Sequence, residues 1–118
     1  MSAAMVEPRI ETELWTSFVT LLRSYAAAAG FHTGVVEVRS SMESVTIGAL
    51  AVELEMRFDA ALGRVTWQKR VAREEAKSGR FQFLPEGTIA IDGTTKDLDH
   101  VAIDFIALVT ERAKGGSR

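Results

Sequence analysis

Residues 91–100 read IDGTTKDLDH, which gathers three aspartates, two threonines and one of the chain's two histidines into ten positions. Carboxylates and an imidazole this close are the raw material of a divalent-cation or phosphate site. A calcium loop alternates oxygen ligands and closes with a bidentate glutamate; here the aspartate spacing differs and no such glutamate follows. A phosphate loop sets several glycines ahead of a helix, usually with a lysine, whereas Gly93 stands alone. A structural account uses every acidic residue. Asp92 and Gly93 close a strand with a turn. Thr94 or Thr95 caps the last helix, with Asp97 in the third position of a capping box. Asp97 and Asp99 then sit at the positive end of the helix dipole. The stretch is expected to begin a helix and to bind no metal.

The other reactive residues are sparse. His100 and Asp104 are four apart, which places them on one helix face as a surface pair; His32 is remote in sequence. No Gly-x-Ser-x-Gly elbow is present. Glu53 and Glu55 leave one strand on the same side. Paired carboxylates cleave glycosides when a cleft raises the pKa of one of them. Opposite Gln68 and Arg70, these two read instead as a solvated, salt-bridged face. The chain has no cysteine, which excludes disulfides, thiolate metal sites and thiol nucleophiles. No catalytic residue, cofactor or metal set emerges, and a non-catalytic protein is expected.

The elements that must position these residues belong to one domain. The 118 residues, 47% apolar and 25% charged, have the size and composition of a single globular unit. Its expected limits are residues 9–113, with flexible ends at 1–8 and 114–118. No basic-then-apolar leader opens the chain, and no apolar run nears the ~20 residues a membrane span needs. Together with the missing cysteines this points to a cytoplasmic protein without membrane contact. Net charge is −2, but residues 64–80 carry six basic and two acidic groups. Arg64, Arg70, Arg73 and Lys77 are therefore the candidate contacts if the partner is nucleic acid or another polyanion.

Hydrophobic spacing places a helix over about 9–29. Ile10, Leu14, Phe18, Leu21 and Tyr25 lie on one face, widened by Trp15, Val19 and Leu22, and Gly30 is the stop. From residue 35 to 91 the period becomes two. "VVEVRS" is a short strand. "LAVELEMRF" and "RVTWQKRV" form a hairpin about a loop at 60–63, which sets Asp59 against Arg64, Phe58 against Val65, Met56 against Trp67 and Glu53 against Arg70. Residues 85–87 turn a second hairpin with Phe83 opposite Ile89. Residues 42–49 fit a bulge, a break or a short helix, and 72–79 a helical turn or a loop. A helix over about 96–113 follows, turning Leu98, Val101, Ala102, Phe105, Leu108, Val109 and Arg112 inward, with Ile103 and Ile106 to the side.

The expected fold is α+β: an antiparallel sheet of four or five strands in the order α-β-β-β-(short α or loop)-β-β-α, with both helices on one face. In element order this resembles the type III secretion chaperones and related small regulatory proteins, a resemblance that implies the one-sided helix packing and a homodimer. The first helix is apolar over more than half its girth. Trp15, Phe18, Val19 and Leu22 are the expected dimer surface. The expected function is a self-associating protein-interaction or regulatory domain. The alternatives are the polyanion binder and a small-ligand domain or enzyme with a pocket the sequence does not reveal.

Overall fold

The computed structural model describes residues 3–33, 37–49 and 52–115, with side chains over 10–29, 38–48 and 52–110. Leu50, Ala51, the first two valines of "VVEVRS" and the side chain of His32 lie outside the described residues. The described chain runs α1 (Ala3–Thr33), β1 (Glu37–Ser40), β2 (Ser44–Ala49), β3 (Val52–Asp59), β4 (Arg64–Val71), β5 (Lys77–Phe83), β6 (Thr88–Ile91), β7 (Thr94–Asp97) and α2 (Leu98–Gly115). The α+β class holds, with an antiparallel sheet and a helix at each end. The sheet is a meander of seven strands in sequence order, not four or five.

Two strands account for the difference. The first is β2, at residues whose inward positions, Val45 and Ile47, are odd-numbered, while those of β3 are even. No bulge is needed. In the antiparallel register Val45 pairs with Met56 and Ile47 with Leu54, so a change of parity is what a chain reversal produces. The second is β7, where a helix cap was expected. Asp92 and Gly93 both have positive φ, 52° and 78°, the signature of a type I′ hairpin turn. Thr94 therefore pairs back onto Ile91, and its hydroxyl donates to the Ile91 carbonyl at 2.9 Å. Neither Thr94 nor Thr95 caps α2, which starts at Leu98 with Asp99 in its first turn. The new strand is polar because it is a sheet edge, where charge and short length discourage further pairing.

The two expected hairpins form. Asp59 faces Arg64, Phe58 faces Val65, Met56 faces Trp67 and Glu53 faces Arg70. Asp59 Oδ1 accepts from the backbone N–H groups of Ala61 and Leu62 at 3.0 and 3.3 Å, and Gly63 takes φ 64° at the end of the loop. Phe83 faces Ile89, and the Leu84 N–H donates to the Thr88 carbonyl across the second turn. Between the hairpins there is no helical turn. Lys77 to Gly79 extend β5 along β4, residues 72–76 form the connecting loop, and Arg73 adopts φ 68° within it.

Helix α1 is longer than its apolar spacing marked out. It runs through Gly30 to Thr33; the preceding alanines favour helix enough to absorb the ~1 kcal/mol a lone glycine costs. Its buried stripe is Trp15, Phe18, Leu22 and Ala26, while Leu14, Val19, Leu21 and Tyr25 are only partly buried against the core. In α2, Ile106 is buried and Leu108 is 38% exposed, the reverse of their expected placement.

Both helices cover the same side of the sheet. Phe18 of α1 packs on Phe81 and Phe83 at 5.4 and 6.1 Å between ring centroids, and Phe105 of α2 meets Phe81 at 5.8 Å. Trp15 stacks on Phe58 at 5.2 Å. The Trp15 indole N–H donates to the Met42 carbonyl at 2.9 Å, which satisfies the polar edge of a ring that is otherwise buried. Each such buried aromatic side chain contributes about 1.5–3 kcal/mol through the surface it hides from water. Tyr25 of α1 reaches Asp99 at the start of α2, while Phe18 and Phe105 meet further along on Phe81. The two helices therefore run in opposite directions.

Candidate functional site

Among the described residues no helix lies on the second side of the sheet, and strand alternation decides what that side carries. With Val45, Ile47, Leu54, Met56, Phe58, Val65, Phe81 and Phe83 buried under the helices, the intervening residues face outward. The registers align them in rows. Ser44, Arg57, Thr66 and Arg80 are successive neighbours across β2 to β5, and Thr46, Glu55, Gln68 and Ser78 form the next row.

Within these rows lies a depression of about 230 Å³ lined by Glu55, Arg57, Thr66, Trp67, Gln68 and Ser78. Thr66 and Ser78 are short, while Glu55, Arg57 and Gln68 rise around them. The Trp67 ring lies on the opposite side of the sheet, 5.5 Å from the Phe105 ring, so the other five side chains supply the functional groups. Arg70 ties down one end. It donates to Glu53 at 3.1 Å and to Gln68 Oε1 at 3.1 Å. With its oxygen so engaged, the Gln68 amide keeps its NH2 group for other acceptors. Arg57 and Glu55 stand 3.6 Å apart, beyond ordinary hydrogen-bond length, and the Arg57 side chain is 75% exposed. The face thus offers a guanidinium, a carboxylate, two hydroxyls and an amide to whatever lies on it.

The residues singled out from the sequence are distributed differently. Glu53 and Glu55 face outward as expected, and Glu53 pairs with Arg70 across the strands. Trp67 packs on a helix. His100 stands 3.6 Å from Asp104, which Lys96 also approaches at 3.4 Å. Among the described residues no three metal-ligating side chains converge. The basic residues are not brought into one patch. Arg64 begins β4, while Lys77 lies opposite Lys69 near its other end and Arg73 lies beyond that end, roughly 20 Å away at strand rise. Arg70 is held by Glu53. Lys69 and Lys77 are direct cross-strand partners, a like-charge pairing that costs some stability.

The expected dimer surface is largely interior. Trp15 (3% exposed), Phe18 (0%) and Leu22 (0%) are buried in the protomer, and only Val19 is partly exposed. The apolar girth of α1 is consumed because two neighbours share it, the sheet on one side and α2 on the other.

One polar contact was not legible beforehand. The Tyr25 hydroxyl donates to Asp99 Oδ1 at 2.9 Å. This bond to the carboxylate, with desolvation and the negative charge behind it, raises the Tyr25 pKa above 10.0. A lone tyrosine at the edge of an apolar stripe signals only that its hydroxyl needs a partner.

Fold and surface together define a class: a one-layer antiparallel sheet backed by an antiparallel helix pair, with a polar face left open. Compared with protein-family models, with curated proteins and with solved structures, the chain finds no match. Among the described residues no helix is long and apolar enough to cross a membrane.

Proposed function

We propose that this chain is a protein-interaction domain that works as a homodimer and receives its partner on the open sheet face. The observation that carries the reading is the unequal use of the sheet. Both helices cover one side, and the other presents ordered rows of hydrogen-bonding and charged side chains around a shallow depression. Such a surface suits a polar, extended partner, whose groups meet Arg57, Glu55, Gln68, Thr66 and Ser78 at the strand spacing of about 4.8 Å.

Self-association is supported by the exposed positions of α1 between residues 12 and 28, which are Thr, Ser and Ala apart from Glu13 and Arg23; depletion of charge is what the centre of an interface shows. A chain without cysteine is also in keeping with work in a reducing cytoplasm. Light scattering on the eluting protein tests the dimer: a mass near twice 12.9 kDa supports it. A mass of 12.9 kDa at every concentration contradicts it.

A further inference from the structure

We infer that the depression on the open sheet face holds one carboxylate of an acidic peptide: an aspartate or glutamate side chain of an extended partner, set over Thr66 between Arg57 and Arg80. This rests on the interaction-domain reading above and names the group that the site recognises. Unspent donors carry the inference. Arg57 is 75% exposed and stands 3.6 Å from Glu55, too far to commit its N–H groups to that carboxylate. Arg80 forms no ion pair among the described residues. The two arginines are the cross-strand neighbours of Thr66 on either side, so they flank its hydroxyl at about 4.8 Å of strand spacing each. Arg70, anchored on Glu53, holds the Gln68 oxygen and leaves the Gln68 NH2 group as a positioned donor. Ser78, beside Gln68, adds a second hydroxyl. A carboxylate only accepts, at about four lone-pair sites, and its plane matches the guanidinium fork.

Charge selects a monoanion. The outward residues of β3, β4 and β5 include four arginines, Arg57, Arg64, Arg70 and Arg80, against three carboxylates, Glu53, Glu55 and Asp59. Glu53 pairs with Arg70. Asp59 lies opposite Arg64 and accepts from the Ala61 and Leu62 backbone. Arg57 and Arg80 are left against Glu55, an excess of one positive charge at the depression. One carboxylate cancels it. A phosphate monoester, at about −2, overshoots beside Glu55, and a cation meets two guanidinium groups.

An extended strand is the carrier that fits. Its side chains on one face repeat about every 6.8 Å, which is also the separation of the rows along β3 and β4. A partner strand lying along β4 then sets one side chain over Arg57, Thr66 and Arg80 and the next over Glu55, Gln68 and Ser78. Glu55 repels a second acid in that next place, so the site reads a single acidic residue with an uncharged neighbour. The depression, about 230 Å³, has room for the carboxylate and the methylene that carries it.

Nuclear magnetic resonance titration of the full chain with the capped peptide Thr-Val-Glu-Val-Thr tests the inference. Matched peptides carry Gln or phosphoserine in place of Glu. The expected result is saturable shifts at the Thr66, Gln68 and Ser78 amides, with affinity lower by at least about fivefold for the Gln peptide, which lacks the charge-assisted bonds. The phosphoserine peptide binds no more tightly than the Glu peptide. Arg57→Gln and Arg80→Gln each weaken the Glu peptide by at least about fivefold. Glu55→Gln, which removes the competing carboxylate, tightens it by about two- to fivefold. Lys96→Gln makes the same change of charge beside Asp104 of α2 and leaves affinity unchanged. Circular dichroism melts confirm that each variant is folded, and the three peptides on the unaltered chain decide the matter where one is not. Equal binding of the Glu and Gln peptides, or tighter binding of the phosphoserine peptide, overturns the carboxylate and leaves the open face standing as a docking surface. Shifts confined to the edge strands β1 or β7, or no saturable shift with any peptide, overturn both.

Discussion

Gly79 lies beneath the indole of Trp67: a Cβ built on Gly79 would stand 2.8 Å from ring carbon Cζ2, closer than two carbons approach without displacement. The two residues are cross-strand partners in β4 and β5, and the ring is also in edge contact with Phe105 of α2. The glycine makes room for an aromatic ring that joins sheet to helix. Gly79→Ala should destabilise the fold by about 1–3 kcal/mol, the usual cost of overpacking, and shift tryptophan fluorescence. Gly48→Ala is the control, since nothing lies within 4 Å of a Cβ there; its effect should stay within about 0.5 kcal/mol.

The Tyr25–Asp99 bond makes stability depend on alkaline pH. The bond favours the neutral phenol, so the folded-state pKa is raised above the unfolded value of 10.0. Its contribution is therefore fully present below pH 10.0 and is lost as pH rises through the raised value. Tyr25 is the only tyrosine, so ultraviolet absorbance follows it alone. The midpoint should lie above that of the unfolded chain and fall back toward it in Asp99→Asn. Tyr25→Phe should remove this part of the alkaline loss.

Phe18 distinguishes core from interface. Its side chain is 0% exposed and touches the rings of Phe81 and Phe83. Phe18→Ala should cost about 3–5 kcal/mol of stability, as large buried truncations do, measured by urea unfolding. A variant with unchanged stability and weakened self-association would instead place Phe18 on the surface.

The Glu53–Arg70 pair should matter little to stability. Both side chains are about half exposed, at 44% and 54%, and such pairs contribute from about 0 to 1 kcal/mol, less in salt. Arg70→Ala should lower stability by under about 1 kcal/mol at low ionic strength and by less at high ionic strength.

How much of this was legible beforehand follows from how local each signal is. The β3–β4 register could be read because three cues agreed: strict alternation, a glycine at the end of the loop, and opposite charges at 53 and 70. The second hairpin was legible for the same reason. The strand β7 was not, because an edge strand needs no apolar alternation, and "TTKD" after a Gly reads equally as a cap. The Asp92-Gly93 pair was the stronger cue, since two positive φ angles in succession make a hairpin.

The buried face of α1 was displaced by a fraction of a turn. Helical spacing defines an apolar arc but not its centre, and the centre is set by what packs on either side. With the sheet on one side and α2 on the other, Trp15 and Leu22 became core and Leu14 and Leu21 became rim. The open sheet face was legible as polar from Glu53, Glu55, Gln68 and Arg70. The depression in it depends on Ser78 lying beside Gln68, and that β4–β5 pairing left no mark in residues 72–79.

The division of the sheet into a sealed side and an open one is tested most directly by thiol labelling, since the natural chain has no cysteine. Thr66→Cys, on the exposed outward row, should react in the native protein at close to the rate of the unfolded chain. Met56→Cys, in a strand position 0% exposed beneath the helices, should react slower by at least on the order of 10³-fold, because it must wait for the protein to open. Equal rates at the two positions, or protection of Thr66→Cys, would contradict the account.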